Sequence, residues 1–120
     1  MNNKEFGKTL ELRTRKFAVA IIKLSIILPK TEEGRVLKNQ LTKSGTSIGA
    51  NYREANRSRS KADFLNKIKI SESEASETVY WLEIILDLNW LDKQIIEKAL
   101  EESNELLAIF SSISFNTKKK

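Results

Sequence analysis

Residues that end helices are scarce in this chain, and this scarcity limits its fold. The 120 residues include one proline, Pro29, and four glycines. No long alternation of apolar and polar residues is bounded by turn residues, so strand signals are weak. The 40% apolar content is enough for the core of one domain of this length. We therefore predict an all-α fold.

Capping and helix-ending residues divide the chain into four helical segments. Pro29 ends the first helix because proline disfavours helix in the residue before it. Thr31 can cap the second helix, and Ser60 with Asp63 resembles a capping box for the third. Short connections favour antiparallel neighbours, so the predicted fold is an up-down-up-down antiparallel four-helix bundle. The predicted helices are Lys8–Leu28, Glu32–Asn56, a third that begins at Ser60 and a fourth that follows a connection at Asn89–Asp92. Residues 1–115 are predicted to form one domain, and residues 116–120 a disordered basic tail.

Each segment has a seam of apolar or small residues with the spacing of one helix face. In chain order, the predicted seams are Leu10, Phe17, Ile21, Leu24 and Leu28; Leu37, Leu41, Ser44, Ile48 and Ala55; Phe64, Ile68, Ala75, Val79, Leu82 and Leu86; and Leu91, Ile95, Ala99, Leu106, Ile109 and Ile113.

The first and third segments carry a second apolar face. A bundle helix normally has a polar face opposite its core. One interpretation is a wide core or scattered apolar surface residues; the other is a buried interface between subunits of a homo-oligomer. The residues away from the main seams are Val19, Ile22 and Ile26 on the first segment and Ile70, Trp81, Ile84 and Leu88 on the third.

Gly45 and Gly49 lie one turn apart in the second segment. Together they cost about 2 kcal/mol of helix propensity relative to alanine. Without a Cβ atom, they allow another backbone or a bulky ring to approach closely. The close approach is either between helices of one subunit or between subunits, and the second case places Gly45, Gly49 and Tyr52 in the oligomer interface.

Charge is divided unevenly along the sequence. Residues 1–70 hold sixteen basic and six acidic residues, a net +10, whereas residues 71–115 hold two basic and ten acidic residues, a net −8. This pattern indicates either a surface that binds phosphates or two halves that attract each other, with Arg53 paired to a carboxylate. The candidate phosphate contacts are Lys8, Lys16, Lys23, Arg53, Arg57, Arg59 and Lys61.

The composition argues against several classes of function. The sequence has no histidine and no cysteine, which removes thiol nucleophiles, the usual zinc ligands and the usual general base. No acidic cluster has metal-ligand spacing, so we expect no catalytic site, metal or cofactor. Apolar runs are too short for a membrane span, and we expect no membrane partner. The absence of cysteine fits a reducing compartment, and the expected location is the cytoplasm.

Two long motifs resemble a known family. The stretches "LTKSGTSIGANYREA" and "SKADFLNKIKISESEASETVYWLEIILD" resemble the four-helix-bundle proteins encoded in intervening sequences of bacterial 23S ribosomal RNA genes. That family is also similar to the accessory protein of diversity-generating retroelements. The resemblance implies a four-helix bundle, a ring-like homopentamer, a basic surface for nucleic acid and no enzymatic activity. A reverse transcriptase is an implied partner only if the retroelement resemblance holds.

Two functions remain open on this basis. The first is a non-enzymatic oligomeric protein that binds nucleic acid, structured RNA or DNA, through phosphate contacts. The alternative is a protein-interaction scaffold without nucleic-acid binding. Salt-dependent RNA binding distinguishes the two.

Overall fold

Four antiparallel α-helices make up the computed structural model, which describes residues 3–119. They are α1 (Asn3–Ile26), α2 (Glu32–Ala55), α3 (Lys61–Leu88) and α4 (Lys93–Lys119). Each helix packs against the next one in the chain, and the bundle measures 46 × 25 × 20 Å. The structure confirms the predicted up-down-up-down four-helix bundle.

Side-chain caps set the starts of α2 and α3. Thr31 Oγ1 accepts a hydrogen bond from the Gly34 amide at 3.0 Å, and Ser60 Oγ accepts one from the Asp63 amide at 3.1 Å. Both caps confirm the sequence prediction. Asn89 ends α3 in the left-handed conformation, with φ of 56°. Helix α1 starts before the predicted Lys8 and ends at Ile26 rather than Leu28.

The core largely follows the predicted seams, except on α4. The first seam is buried throughout. On α4, the prediction of Ile95 as a core residue is wrong: Ile95 is 43% exposed, while Ile96 and Phe110 are buried. Ser103 is also buried, and its hydroxyl donates to the Ala75 carbonyl at 3.4 Å. Small hydroxyl residues occupy core positions on α4. The face of α4 that is buried is therefore rotated about the helix axis relative to the predicted seam of large apolar residues.

Hydroxyl groups also join α2 to α3 inside the core. Thr78 Oγ1 donates to Ser44 Oγ at 2.9 Å, and Ser71 Oγ donates to the Ile48 carbonyl at 2.9 Å. Every buried side-chain nitrogen or oxygen in residues 3–119 has a hydrogen-bond partner. The two helices can therefore approach closely without leaving a polar group unsatisfied.

Helix α1 is attached to the bundle mainly through one neighbour. It packs along α2 and approaches α4 only lightly, and its backbone does not come close to that of α3 within the described residues. The side of the bundle between α1 and α4 is consequently open.

The end of α4 differs from the sequence prediction. Residues 116–119 continue the helix, where a disordered tail was predicted, and Lys120 lies outside the described residues. Thr117 Oγ1 donates to the Ile113 carbonyl at 2.7 Å, and Lys119 Nζ lies 5.2 Å from the centre of the Phe115 ring. These contacts and the favourable position of lysines at a helix C-terminus account for the extension.

Candidate nucleic-acid interface

The register of the helices brings four chain segments to one end of the bundle. Asn56, just after α2, donates from Nδ2 to Glu11 Oε2 of α1 at 2.8 Å. Ser111 of α4 donates to Glu72 Oε2 of α3 at 2.7 Å. The start of α1, the end of α2, the start of α3 and the end of α4 therefore lie together.

This end concentrates positive charge. We call it the basic end, defined by Lys4, Lys8, Arg53, Arg57, Arg59, Lys61, Lys118 and Lys119, all of them exposed. Segments 3–11, 53–63 and 113–119 contain these eight basic residues and four acidic ones, a net +4. The opposite end, formed by segments 23–39 and 83–101, has six basic and seven acidic residues, a net −1. Folding thus produces a charge difference between the two ends of the molecule.

The turn between α2 and α3 holds two arginines on an ordered backbone. Arg57 and Arg59 alternate with Asn56, Ser58 and Ser60. The three small polar side chains are all hydrogen-bonded. Asn56 donates to Glu11, Ser58 donates to the Ala55 carbonyl at 2.6 Å, and Ser60 accepts from the Asp63 amide. The arginines remain exposed and form no ion pair with residues 3–119. A turn ordered in this way presents guanidinium groups without a further ordering cost for the backbone.

Arg53 is also unpaired within the described chain. The sequence left open a structural ion pair between Arg53 and the acidic half, but neither Arg53 nor Lys61 pairs with a carboxylate of residues 3–119. Both side chains are therefore available to an anionic partner.

Lys16 and Lys23 lie apart from the basic end. They are about 12 and 22 Å further along the α1 axis than Lys8, at 1.5 Å per residue. Both line the open groove between α1 and α4, which has a volume of about 890 Å³. Lys16 and Lys23 are therefore separated from the other five predicted basic residues, and their contact with nucleic acid stays a prediction.

One arginine crosses the groove. Arg13 Nε and Nη2 donate to Glu102 Oε2 and Oε1 at 2.8 and 2.7 Å, and Nη2 also reaches Glu105 Oε1 at 3.3 Å. The hydrogen bond to Glu102 raises the pKa of Arg13, so its guanidinium stays charged. No local sequence pattern marks Arg13, because its partners are 89 and 92 residues away in the chain.

The glycine pair packs inside one subunit. A Cβ atom on Gly45 would lie 2.8 Å from Ile21 Cγ2, and one on Gly49 would lie 2.8 Å from Thr14 Oγ1. Tyr52 is 3% exposed, and its ring meets Phe110 edge-on at 5.4 Å between centroids. Neighbouring helices of the same chain bury Gly45 and Tyr52, so their assignment to an oligomer interface is wrong. Gly49 is half-buried beside Thr14 of α1, and its place in an interface stays a prediction.

Burial also changes the chemistry of the tyrosine. Removal of Tyr52 from water raises the pKa of its hydroxyl, an effect that the hydrogen bond from Asn56 partly opposes and the charge of Glu11 adds to. The hydroxyl therefore stays neutral near physiological pH, as a structural group of the core.

Two apolar strips remain on the outside of the bundle. The α1 strip is Leu12, Val19, Ile22 and Ile26, which are 41–61% exposed. The α3 strip is Ile70 and Leu88, both exposed, with the partly buried Trp81 and Ile84. Thus the seven interface residues predicted on α1 and α3 all have side chains at the surface of the single chain.

Carboxylates accompany the α3 strip. Trp81 Nε1 donates to Glu77 Oε1 at 3.2 Å, and the rings of Tyr80 and Trp81 meet edge-on at 5.2 Å. Burial, and then the charge of Glu77, raise the pKa of Glu74, while Lys43 of α2 opposes the rise. The α3 surface therefore carries negative charge that the single chain does not fully neutralise.

Two kinds of site are not found in the described chain. Within residues 3–119, no group of three or more acidic, histidine or cysteine side chains is placed to hold a metal ion. None of the four helices is long and apolar enough to cross a membrane.

Comparison with protein families identifies the chain. The model of the 23S rRNA-intervening sequence proteins matches residues 11–112. The chain belongs to this family. The match confirms the resemblance that the two motifs indicated; the relation to retroelement accessory proteins stays a prediction.

A solved structure supports the same relationship. A protein of unknown function from the S23 ribosomal protein family of Bacteroides thetaiotaomicron VPI-5482 is 38% identical to this intervening-sequence protein, with a TM-score of 0.81. The similarity covers 87% of this chain and 96% of that chain. No curated protein matches the chain.

The motifs of the intervening-sequence protein combine core and surface positions. In the first, Tyr52 and Ala55 are buried while Arg53 and Glu54 are exposed. In the second, Thr78 is buried near the surface pair Tyr80 and Trp81. Part of each motif therefore has a packing role, and part is accessible to partners.

Proposed function

We propose that this intervening-sequence protein is a non-enzymatic homo-oligomer that binds structured RNA through phosphate contacts at its basic end. It requires no metal or cofactor for this role. Membership of the family does not by itself specify a binding surface or a ligand; we assign the basic end as the surface and phosphate groups as the ligand.

The observation that carries the proposal is the ordered, unpaired positive charge at one end of the bundle. Phosphate contacts supply most of the non-specific affinity of proteins for nucleic acids. Arg57 and Arg59 lie on a turn whose other polar side chains are already bonded, and lysines from the start of α1 and the last turn of α4 extend the charge around them. The turn itself, residues 56–60, contains no aromatic residue, while Phe6 and Phe115 are exposed elsewhere at the basic end. The phosphate contacts that we propose for the turn therefore depend on charge and shape.

The oligomer is the second part of the proposal. Exposed apolar strips on α1 and α3 support a contact between subunits. Five copies are the expected number on the basis of the family resemblance. The retroelement resemblance would add a reverse transcriptase as partner.

Fluorescence anisotropy with a labelled RNA hairpin and a DNA duplex, between roughly 50 and 200 mM salt, tests RNA binding. We expect Arg57→Ala with Arg59→Ala to weaken binding to all sequences alike. The log–log salt slope should flatten by about 0.7–0.9 for each phosphate that the variant no longer neutralises. The matched control is Lys30→Ala with Lys38→Ala, which removes the same charge from the opposite end and should change binding little.

Two outcomes would contradict the proposed binding. Equal decreases in affinity for the two double variants would mean that net charge, rather than the basic end, determines affinity. No binding by the intact assembly at the lowest salt would exclude nucleic-acid binding and leave the interaction scaffold.

A further inference from the structure

We propose that copies of this chain assemble head to tail, with the α1 strip of one copy packed on the α3 strip of the next. The inference rests on the proposed homo-oligomer and adds the pair of surfaces that form the contact. Four features of the single chain support it.

The first feature is the spacing within the strips. Leu12, Val19 and Ile26 repeat every seven residues, with Ile22 between the last two. On α3, Trp81, Ile84 and Leu88 are separated by three and four residues, and Ile70 lies two heptads before Ile84. A spacing of three and four residues forms the seam by which one helix packs along another.

The second feature is charge. Residues 15–26 of α1 contain three basic residues and no acidic one, whereas residues 72–88 of α3 contain five acidic residues and no basic one. Contact of the α1 strip with another α1 strip, or of two α3 strips, would oppose like charges. Contact between the two different strips joins opposite charges, which favours this pairing over both alternatives.

The third feature is uncompensated charge on α3. No carboxylate of α3 forms an ion pair within residues 3–119. Burial and then the charge of Glu77 raise the pKa of Glu74, and Lys43 only partly opposes the rise. A basic neighbouring helix would provide the missing positive charge.

The fourth feature is the position of the strips in the bundle. The backbones of helices α1 and α3 do not approach each other closely in the described chain, and α2 packs against both. Each strip lies on the side of its helix away from the core. An interface between two different patches is heterologous, and its repetition produces a closed ring or an open filament.

Cross-linking tests the pairing directly, because the natural chain has no cysteine. Val19→Cys places one thiol at the middle of the α1 strip, and Ile84→Cys places one between Trp81 and Leu88 of the α3 strip. A flexible bismaleimide about 10 Å long, close to the distance between the axes of two packed helices, should link the double variant into a ladder of covalent multimers. Each single variant should stay a monomer on a denaturing gel. Dimers from either single variant would indicate two-fold pairing and overturn the inference.

Charge reversal with size-exclusion light scattering provides the second test. Arg15→Glu with Lys23→Glu, and separately Glu77→Lys with Asp87→Lys, should reduce the mass towards the 13.7 kDa of one chain. The chain with all four changes should recover the wild-type mass, because the complementary charges have only exchanged sides. Misfolding would not produce this recovery, and circular dichroism confirms that each variant is helical.

The outcomes distinguish this inference from the proposed oligomer. A wild-type monomer at every concentration would overturn both. An oligomer whose mass is unchanged by both strip reversals, but falls with Glu101→Lys and Glu105→Lys, would place the contact in the α1–α4 groove. That result would overturn only the pairing of the strips.

Discussion

Gly7, Gly34 and Gly45 all lie within helices, but a Cβ atom at each would meet different surroundings. At Gly34 it would overlap the Pro29 carbonyl oxygen, and at Gly45 it would overlap the fully buried Ile21 side chain. At Gly7 the nearest atom is Asn56 Nδ2 at 3.5 Å, an ordinary contact. Glycine therefore allows close packing at positions 34 and 45, whereas at position 7 it only lowers the helix propensity.

Alanine substitution should separate these roles. Gly34→Ala and Gly45→Ala should each lower the free energy of unfolding by about 1–3 kcal/mol, because overlap in a packed region exceeds the gain in helix propensity. Gly7→Ala should raise it by about 0.4–1 kcal/mol. Urea unfolding of the three variants measures the differences. If Gly34→Ala is as stable as the wild type, Pro29 and Gly34 are not packed as described.

Sequence spacing indicated part of this pattern. The separation of Gly45 and Gly49 by one turn predicted a close approach but did not identify the neighbour, which proved to be α1 of the same chain. Gly34 had no such signal, because its constraint comes from the path of the backbone after Pro29. Constraints imposed by a backbone turn are visible only once the chain is folded.

At the scale of the helices, α1 depends on Arg13 for its polar connection to α4. The guanidinium makes two hydrogen bonds to Glu102, and the two side chains are only 35% and 31% exposed. Bidentate geometry of this kind is stronger than an ordinary surface ion pair. The contact spans the otherwise open side of the bundle.

A double-mutant cycle with Arg13→Ala and Glu102→Ala should measure this connection. We expect a coupling energy of about 0.5–1 kcal/mol at low salt, because the pair is partly solvated. The coupling should decrease at high salt as the charges are screened. Thermal unfolding at two salt concentrations provides the data. A coupling near zero at low salt would mean that the pair does not hold α1 to α4.

The order and approximate limits of the helices were predictable, but one helix face was not. Thr31 and Ser60 have recognisable capping chemistry, so two helix starts were predicted correctly. The buried face of α4 was predicted from its large apolar residues, whereas Ser103 and Ser114 lie in the core. Polarity alone does not reveal that a serine hydroxyl will find a carbonyl on the neighbouring helix.

At the scale of the whole molecule, folding redistributes the charge that the sequence divides between its halves. Lys118 and Lys119, which follow the acidic half, join the arginines of the α2–α3 turn at the basic end. Lys16 and Lys23, from the basic half, line the groove instead. The sequence could indicate that a charged surface exists but not which residues form it, because that depends on the register and length of the helices.

Assembly would repeat the basic end in every copy. In a closed ring, rotation about one axis relates all subunits, so their basic ends lie at the same height and radius. When an RNA long enough to reach two basic ends is bound at one of them, its binding to the second becomes intramolecular. The effective concentration for this second step depends on the spacing of the basic ends in the ring. Modest contacts at each end would then combine into a much stronger interaction.

Separation of the subunits should remove this combined binding. Trp81→Ser with Ile84→Ser should separate the subunits without changing their charge. Binding of a long structured RNA should weaken by about 10²–10⁴-fold, the usual range when multivalency is removed. Binding of a short hairpin that reaches only one basic end should be unchanged, which makes it the matched control. Anisotropy with both RNAs, at protein concentrations where light scattering shows the variant to be monomeric, provides the measurement. Equal decreases for the two RNAs would mean that the substitutions damaged the basic end itself, and an unchanged affinity for the long RNA would mean that the subunits bind it independently.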